Sequence, residues 1–447
     1  MTKIVAGAGG RSRACRLTAG LLALTLALAG CSTTATAGKT GGASSADALT
    51  RIPSKDGPGV SPTSIRLTSP LFVSGTKEMT KAVVSYFNRT GGIGGRSIEF
   101  VPPPALHVAD DASEAQISDA ECRAYPAADV FAVIGVPPLE IPFDGTNCAQ
   151  NAGIVTVEAP DGLSDVGVDE DDISENPFLF APSDMTYPRL NSTLTQRIRA
   201  DGILAGVKKI AVLYDPDTGT PDADFLVAKL REGSPGYRVD KVALIDAGNP
   251  AAMLSLIIKL KAAGYDLLVP TGSSGSEVPD PGTLVAQKYT PKIAGFGLGI
   301  DKERISGLPV DFLRKIVAYD FRPYNVFLPA YQVQTLLTSL PGARACFQIL
   351  NKAGVSFSEF PSFPVMMCSQ LSFLREALKA SGSTHVNAQA VYVGSGRLGE
   401  SFHGADSFGS KLTPTRRDGA NAVRMLRYDP ESKGFTFSGP NLSVAQK

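Results

Sequence analysis

The chain of 447 residues has no tryptophan, only three histidines and no excess of either charge. Lysine plus arginine and aspartate plus glutamate each number 43. Each shortage closes a class of function. A balanced charge offers nothing to neutralise a phosphate backbone, so nucleic acid is not expected as a partner. His107, His385 and His403 stand far apart, outside any H-E-x-x-H pair, and no two of the six cysteines make C-x-x-C. A metal site therefore lacks a ligand set. The elbow G-x-S-x-G of a serine hydrolase is missing. "TGSSGS" (271–276) follows a strand with the wrong spacing, and "VGSGR" (393–397) fails too. The acid-rich "DVGVDEDDISEN" (165–176) lacks the residue order of a calcium loop and reads as a solvated loop. His403 with Asp406 reads as a surface loop pair. These absences argue against an enzyme, and no cofactor or metal is expected.

What is present starts with a glycine cluster, "RTGGIGGRSIEF" (89–100). A dinucleotide fingerprint runs strand, loop, helix, so that the helix N-terminus faces the pyrophosphate. Here the order is reversed. Met79, Val83 and Phe87 recur at helical spacing before the loop, and "SIEFV" alternates like a strand after it. Gly91 or Gly92 fits the position after a helix where a left-handed backbone is needed. The cluster is a structural turn.

Lys3, Arg11, Arg13 and Arg16 precede an apolar run, "LTAGLLALTLALAG" (17–30). The run is too short for a stable membrane span and has the layout of a signal peptide. It ends in "LAGC" (28–31), which resembles the lipobox of bacterial lipoproteins. The resemblance implies cleavage before Cys31 and lipidation of that cysteine. Residues 32–63 are rich in Gly, Ser, Thr and Ala, without apolar periodicity. They are expected to form a flexible tether reaching roughly 30 Å. Cys122, Cys148, Cys346 and Cys368 remain for the exported part. Four cysteines allow three pairings. Sequence proximity favours Cys122–Cys148 and Cys346–Cys368, and an oxidising compartment favours bonds over free thiols.

From residue 64 onward, strand-like and helix-like patterns alternate. "VFAVIGV" (130–136), "GIVTVEA" (153–159), "VKKIAVLYDPD" (207–217), "DLLVP" (266–270), "KIAGFG" (292–297) and "KIVAYD" (315–320) are apolar runs suited to buried parallel strands. Between 249 and 264, Asn249 suits an N-cap, Pro250 the first helical turn and Gly264 the stop. Helices are expected near 329–352 and 369–381, and the end of the chain reads as a hairpin turning at "DPESKG". Such alternation argues for α/β architecture with parallel sheets covered by helices.

The motifs and their order resemble type I periplasmic solute-binding proteins, in particular the ABC-transporter branch for branched-chain amino acids and amides. "KAVVSYFNRTGGIGGRSIEF", "FLFAPSDMTYPRL", "AGNPAAMLSLIIKLKAAGYDLLV" and "RRDGANAVRMLRYDP" carry the resemblance. It implies two Rossmann-like lobes joined by three crossovers, near 184–187, 321–326 and 386–391. Lobe one would comprise 64–185 and 325–388, and lobe two 186–324 and 389–447. It further implies a lipid-anchored protein on the extracytoplasmic face of a bacterial membrane. Such a protein closes on a small polar solute and delivers it to an ABC permease. A second reading uses the same fold as a sensor or interaction lipoprotein without transport.

Ligands of open α/β sheets bind beyond the carboxyl ends of strands. By that rule Ser74, Tyr214, Ser273, Ser274, Phe296 and Arg322 are the candidate ligand contacts: hydroxyls, aromatic walls and a cation. The amino-acid pattern of the family is incomplete. "VPPLE" (136–140) and Gly162 stand where hydroxyls are expected, and "GLG" (297–299) where an acid should meet the ammonium. This argues against a free α-amino acid as the ligand. Glu158 and Asp215 are the acids left near strand ends that could meet a cation.

Overall fold

Alternating apolar runs and amphipathic helices give two sheets. The computed structural model describes residues 49–69, 77–106, 108, 114–136, 149, 151–158, 167–216, 219–233, 236–244, 249–271, 278–298, 302–323, 330–352, 354 and 362–445. The first sheet holds β1 (Ser64–Thr68), β2 (Ser97–Phe100), β3 (Ala132–Val136), β4 (Val155–Glu158) and β5 (Leu179–Phe180) in the order β2-β1-β3-β4-β5, all parallel. The second holds β6 (Lys209–Tyr214), β7 (Arg238–Ala243), β8 (Leu267–Pro270), β9 (Lys292–Phe296), β10 (Ile316–Asp320), β11 (Ala422–Asp429) and β12 (Gly434–Ser443). Its order is β12-β11-β10-β9-β8-β6-β7, with the terminal hairpin antiparallel on one side. Both sheets lie in one unit, Ser44–Lys447.

Helices cover both faces of each sheet. Those of the first half are α1 (Lys77–Arg89), α2 (Glu114–Ala127) and α3 (Glu170–Glu175). Next come α4 (Tyr187–Ala200), α5 (Thr220–Arg231), α6 (Pro250–Ala263), α7 (Pro281–Ala286), α8 (Lys302–Ile305) and α9 (Val310–Leu313). The last are α10 (Ala330–Ser339), α11 (Pro341–Lys352), α12 (Ser362–Ser381) and α13 (Ala388–Leu398). In the second sheet, alternate residues face opposite ways. Ala211 and Leu213 meet Ile257 and Leu260 of α6, while Ile210 and Val212 meet Leu194, Ile198 and Leu226 of α4 and α5. In the first sheet, Ile65, Leu67, Ile134 and Val157 pack with Val83, Phe87, Leu371 and Leu374, and Val133 and Ile154 with Tyr125 of α2.

Local signals behave as the sequence suggests. Asn249 caps α6 by accepting from Ala251 and Ala252, and Gly264 ends it in the left-handed region. Gly92 closes α1 at φ 66, with its amide on the Phe87 carbonyl. A Cβ there would meet the Arg96 oxygen at 1.8 Å. The single helix expected over 329–352 is broken into α10 and α11 at Pro341, which cannot donate within a helix. The acidic stretch is not all loop: α3 forms there, its N-cap Asp169 accepting from Asp171. Cys346 and Cys368 are joined, tying α11 to α12. Cys122 is disulfide-bonded too, and Cys148, its expected partner, lies outside the described residues. So does Cys31.

Two expected boundaries move. Within 32–63, residues 53–60 are not a tether but a strap bonded to the first lobe. Asp56 pairs with Arg96 at 2.7 Å and accepts from the Val386 amide. Asn387 donates to the carbonyls of Pro53 and Lys55, and Gly57 donates to that of Val386. Most of its ties are polar or backbone bonds, with Val60 alone of 53–60 packing on the core, so it shows no apolar period. Nor does the chain cross to the second sheet at 386–391. The buried face of α13, with Ala388, Val391, Ser395 and Leu398 at helical spacing, packs on α12. The passage to β11 runs through 399–421 instead.

Candidate functional site

All strands before the terminal hairpin run parallel within their sheets, so each sheet gathers its loops at one end. The first crossover leaves β5 through 181–186 and enters α4, whose Leu190 and Leu194 belong to the second core. The second leaves β10 after Asp320, towards helices whose residues pack with the first sheet. The carboxyl ends of the strands carry several buried polar groups. They include Thr68 closing β1 and Ser69 after it, Glu158 closing β4, Thr271 after β8, and Asp320 with Arg322 at β10.

Glu158 is 6 % exposed, and its Oε2 has no hydrogen-bond partner. Burial pushes its carboxyl well above the usual range, and the charges of Asp184, Asp172 and Asp169 push it the same way. Arg322, 3 % exposed, folds back on Asp320. Its amide and Nε reach Asp320 Oδ1 at 2.9 and 3.0 Å, and Nη2 reaches Oδ2 at 3.3 Å. A buried acid without a cation and a buried cation held by its own strand thus stand at strand ends, where a polar ligand is read in α/β sheets.

The other expected contacts fare differently. Tyr214 ends β6, half-buried, with Lys241 of β7 5.6 Å from its ring centre. Phe296 is 1 % exposed in the second core, its ring tilted against Tyr319 at 6.2 Å, which makes it a packing residue in this structure. Ser74, Ser273 and Ser274 lie outside the described residues. Asp406 corrects the sequence reading. It is 1 % exposed rather than part of a surface pair, and it accepts from Ser369 at 2.6 Å while His403 is exposed. Burial raises its carboxyl to about 6, against the lowering effect of Ser183 and Ser369. Sequence reasoning passed over Asp320. A signal was available, since an acid two residues before an arginine at a strand end can close a local pair.

The first and third crossovers are joined. Arg189 of α4, 1 % exposed, pairs with the Asp418 carboxylate, and its two nitrogens reach the carbonyls of Asp418 and Ala420 at 2.8 Å. The Thr186 amide also donates to Asp418. The neighbouring Arg417 turns the other way, to the carbonyls of Ile173, Asn176 and Leu179. A Cβ on Gly419 would stand 2.0 Å from the Pro182 oxygen, so the two chains approach closely only with glycine there.

No protein-family model and no curated protein matches the sequence. Solved structures do match in shape. The branched-chain amino acid transporter substrate-binding protein LivJ of Streptococcus pneumoniae, in complex with isoleucine, superposes at TM-score 0.56 with 14% identity, covering 86% of this chain and all of that one. The chain has the type I periplasmic binding-protein fold. A fatty acid ABC transporter substrate-binding protein of Thermomonospora curvata shares this fold at TM-score 0.58 and 14% identity, over 87% and 95% of the two chains. An ABC-transporter solute-binding protein of Rhodopseudomonas palustris, in complex with 3,4-dihydroxybenzoic acid, shares it at 0.57 and 13%, over 86% and 97%. Within this one fold the bound molecules differ in charge and shape, so the binding-protein fold does not by itself specify a ligand. Among the described residues no helix is long and apolar enough to cross a membrane, and no cluster of acids, histidines or cysteines could hold a metal.

Proposed function

We propose that this protein is an extracytoplasmic solute-binding protein of an ABC importer, closing its two lobes on a small polar ligand. The observation that carries the reading is the set of buried polar side chains at the strand carboxyl ends, above all Glu158 and Arg322. The structural neighbours support it, since they include substrate- and solute-binding proteins of ABC transporters. Ser74, Ser273 and Ser274 join the ligand from the loops, with Tyr214 at the rim. Phe296 supports that wall from behind. Residues 1–31 act as a lipoprotein signal peptide and Cys31 carries the lipid. Residues 32–48 form the tether, Leu49 and Ile52 already packing on the core, and an ABC permease is the partner.

The test is a thermal-shift screen on protein beginning at residue 49, so that the strap is kept. The library holds amino acids, amides, polyamines, sugars, nucleosides and aromatic acids. A ligand at 100 times its dissociation constant stabilises by about 2.7 kcal/mol. One hit, confirmed by calorimetry and lost in Arg322→Ala, supports the reading. Folded protein with no hit across the library overturns solute binding and favours a sensor or interaction lipoprotein.

A further inference from the structure

A groove of about 660 Å³ runs along α1, on the side of the first lobe where β2 is the sheet edge. One wall comes from two stripes of the helix. Lys77, Lys81, Ser85 and Arg89 repeat every four residues on the exposed stripe, and Thr80, Val84 and Asn88 form the stripe beside it. The other wall is apolar, made by Phe100 and Pro102. Three of the lining residues are cations and none is an acid.

The neighbouring acids among the described residues cancel only part of this charge. Glu78 pairs with Lys81 at 2.8 Å and offsets that one cation. Glu99, whose neighbours in β2 face the groove side, turns to the opposite face of the sheet and to Arg66. Among the described residues Arg89 donates to Ser85 at 2.6 Å, and neither Arg89 nor Lys77 makes an ion pair.

We propose that this groove docks an acidic, extended peptide segment of a partner protein. The spacings fit. Four helical residues advance about 6 Å, close to the roughly 6.7 Å that separates alternate residues of a strand. Carboxylates at positions 1 and 3 of an extended peptide meet Lys77 and Lys81, and one at position 7 meets Arg89. The intervening side chains point the other way, onto Phe100 and Pro102. The peptide does not simply add a strand to the sheet. The side chain of Asn88 already takes the outward N–H and C=O of Ile98, at 2.6 and 3.0 Å. Side chains rather than backbone therefore give the specificity, and alternation of acid and apolar residues is what the groove selects. None of the groove's lining residues is among those proposed to touch the ligand, so the proposal stands whether or not that reading does.

The experiment measures fluorescence anisotropy of a labelled heptapeptide, EVEFSVE, on the full-length protein at low salt. The expected dissociation constant is on the order of tens of micromolar. Binding should weaken about tenfold or more in the variant carrying Lys77→Glu and Lys81→Glu, and also in physiological salt. The neutral peptide QVQFSVQ should not bind. Both lysines are exposed, so the variant should keep its melting temperature. Absence of binding at about 1 mM peptide overturns the proposal, as does equal binding by the charge-reversed variant or the neutral peptide. Capture by phosphatidylglycerol vesicles through the same lysines, without peptide binding, would identify a membrane surface instead.

Discussion

The crossovers solve the same problem in two ways. The first and third are bound to each other. Arg189 and Asp418 form a buried pair whose partners stand 229 residues apart, and Arg417 beside it reaches back to β5 and α3. The second crossover carries an equally buried pair, but Arg322 and Asp320 are only two residues apart and bond to each other. A buried ion pair is weak evidence of net stability, because desolvation offsets attraction. Its placement matters more. The long-range pair fixes two chains side by side and makes them one strap. The local pair joins two residues of one turn, which predicts that the second crossover takes up more of a hinge motion than the joined pair.

Breaking the strap is the most severe test. Asp418→Ala leaves the Arg189 guanidinium buried without its carboxylate and removes the acceptor of the Thr186 amide. Loss of one partner of a buried pair costs about 3–5 kcal/mol. Urea unfolding should show that loss in the midpoint with an unchanged slope. A variant within about 1 kcal/mol of the parent would mean that the strap is held by its backbone bonds alone.

Asp406 sharpens the comparison through pH. It sits in the chain between α13 and β11 and bonds to Ser369 of α12, while Ser183 of the first crossover acts on it. Its folded pKa, about 6, lies above the ordinary 3.8. The folded protein therefore binds a proton more tightly than the unfolded chain, and folding loses stability as pH rises from about 4 to about 6. Glu121 of α2, raised to about 7 by burial, acts in the same sense. The melting temperature should thus be higher at pH 5 than at pH 7.5. Asp406→Asn should flatten that profile and recover up to about 3 kcal/mol at pH 7.5 relative to the parent, from two pKa units. A parent profile that rises towards pH 7.5 would contradict the assignment.

The sequence shows the sheets far better than it shows what joins them. Apolar runs such as "VFAVIGV" and the cap and stop residues of α6 announce their elements directly, because burial imposes period and composition. The first two crossovers follow from where those runs end. The strap at 53–60 was hidden, since backbone carbonyls, Asp56 and the single apolar Val60 hold it and leave no apolar period. The third passage was hidden by α13, which keeps 388–398 on the first lobe. Asp406 looked solvated because no sequence pattern distinguishes a buried loop aspartate from an exposed one. At the candidate site, Arg322 and Glu158 could be found from their strand ends. That Arg322 is folded onto Asp320, and that Phe296 faces the core, depends on packing between distant segments.

The smallest effect should come from the local pair. Asp320→Asn keeps an oxygen for the Arg322 amide and side chain but removes the charge, so a loss of about 1–2 kcal/mol is expected, well below that of Asp418→Ala. Its more telling consequence is for ligand. With Asp320 neutral, Arg322 is released from a competing carboxylate, and an anionic ligand at the strand ends should bind more tightly while a cationic one gains nothing. Isothermal titration of both variants with whatever ligand the screen supplies separates the two crossovers. Asp418→Ala should lower stability with little change in affinity per folded molecule, and Asp320→Asn the reverse. If Asp320→Asn proves as destabilising as Asp418→Ala, the second crossover is no hinge, and its buried pair is as structural as the strap.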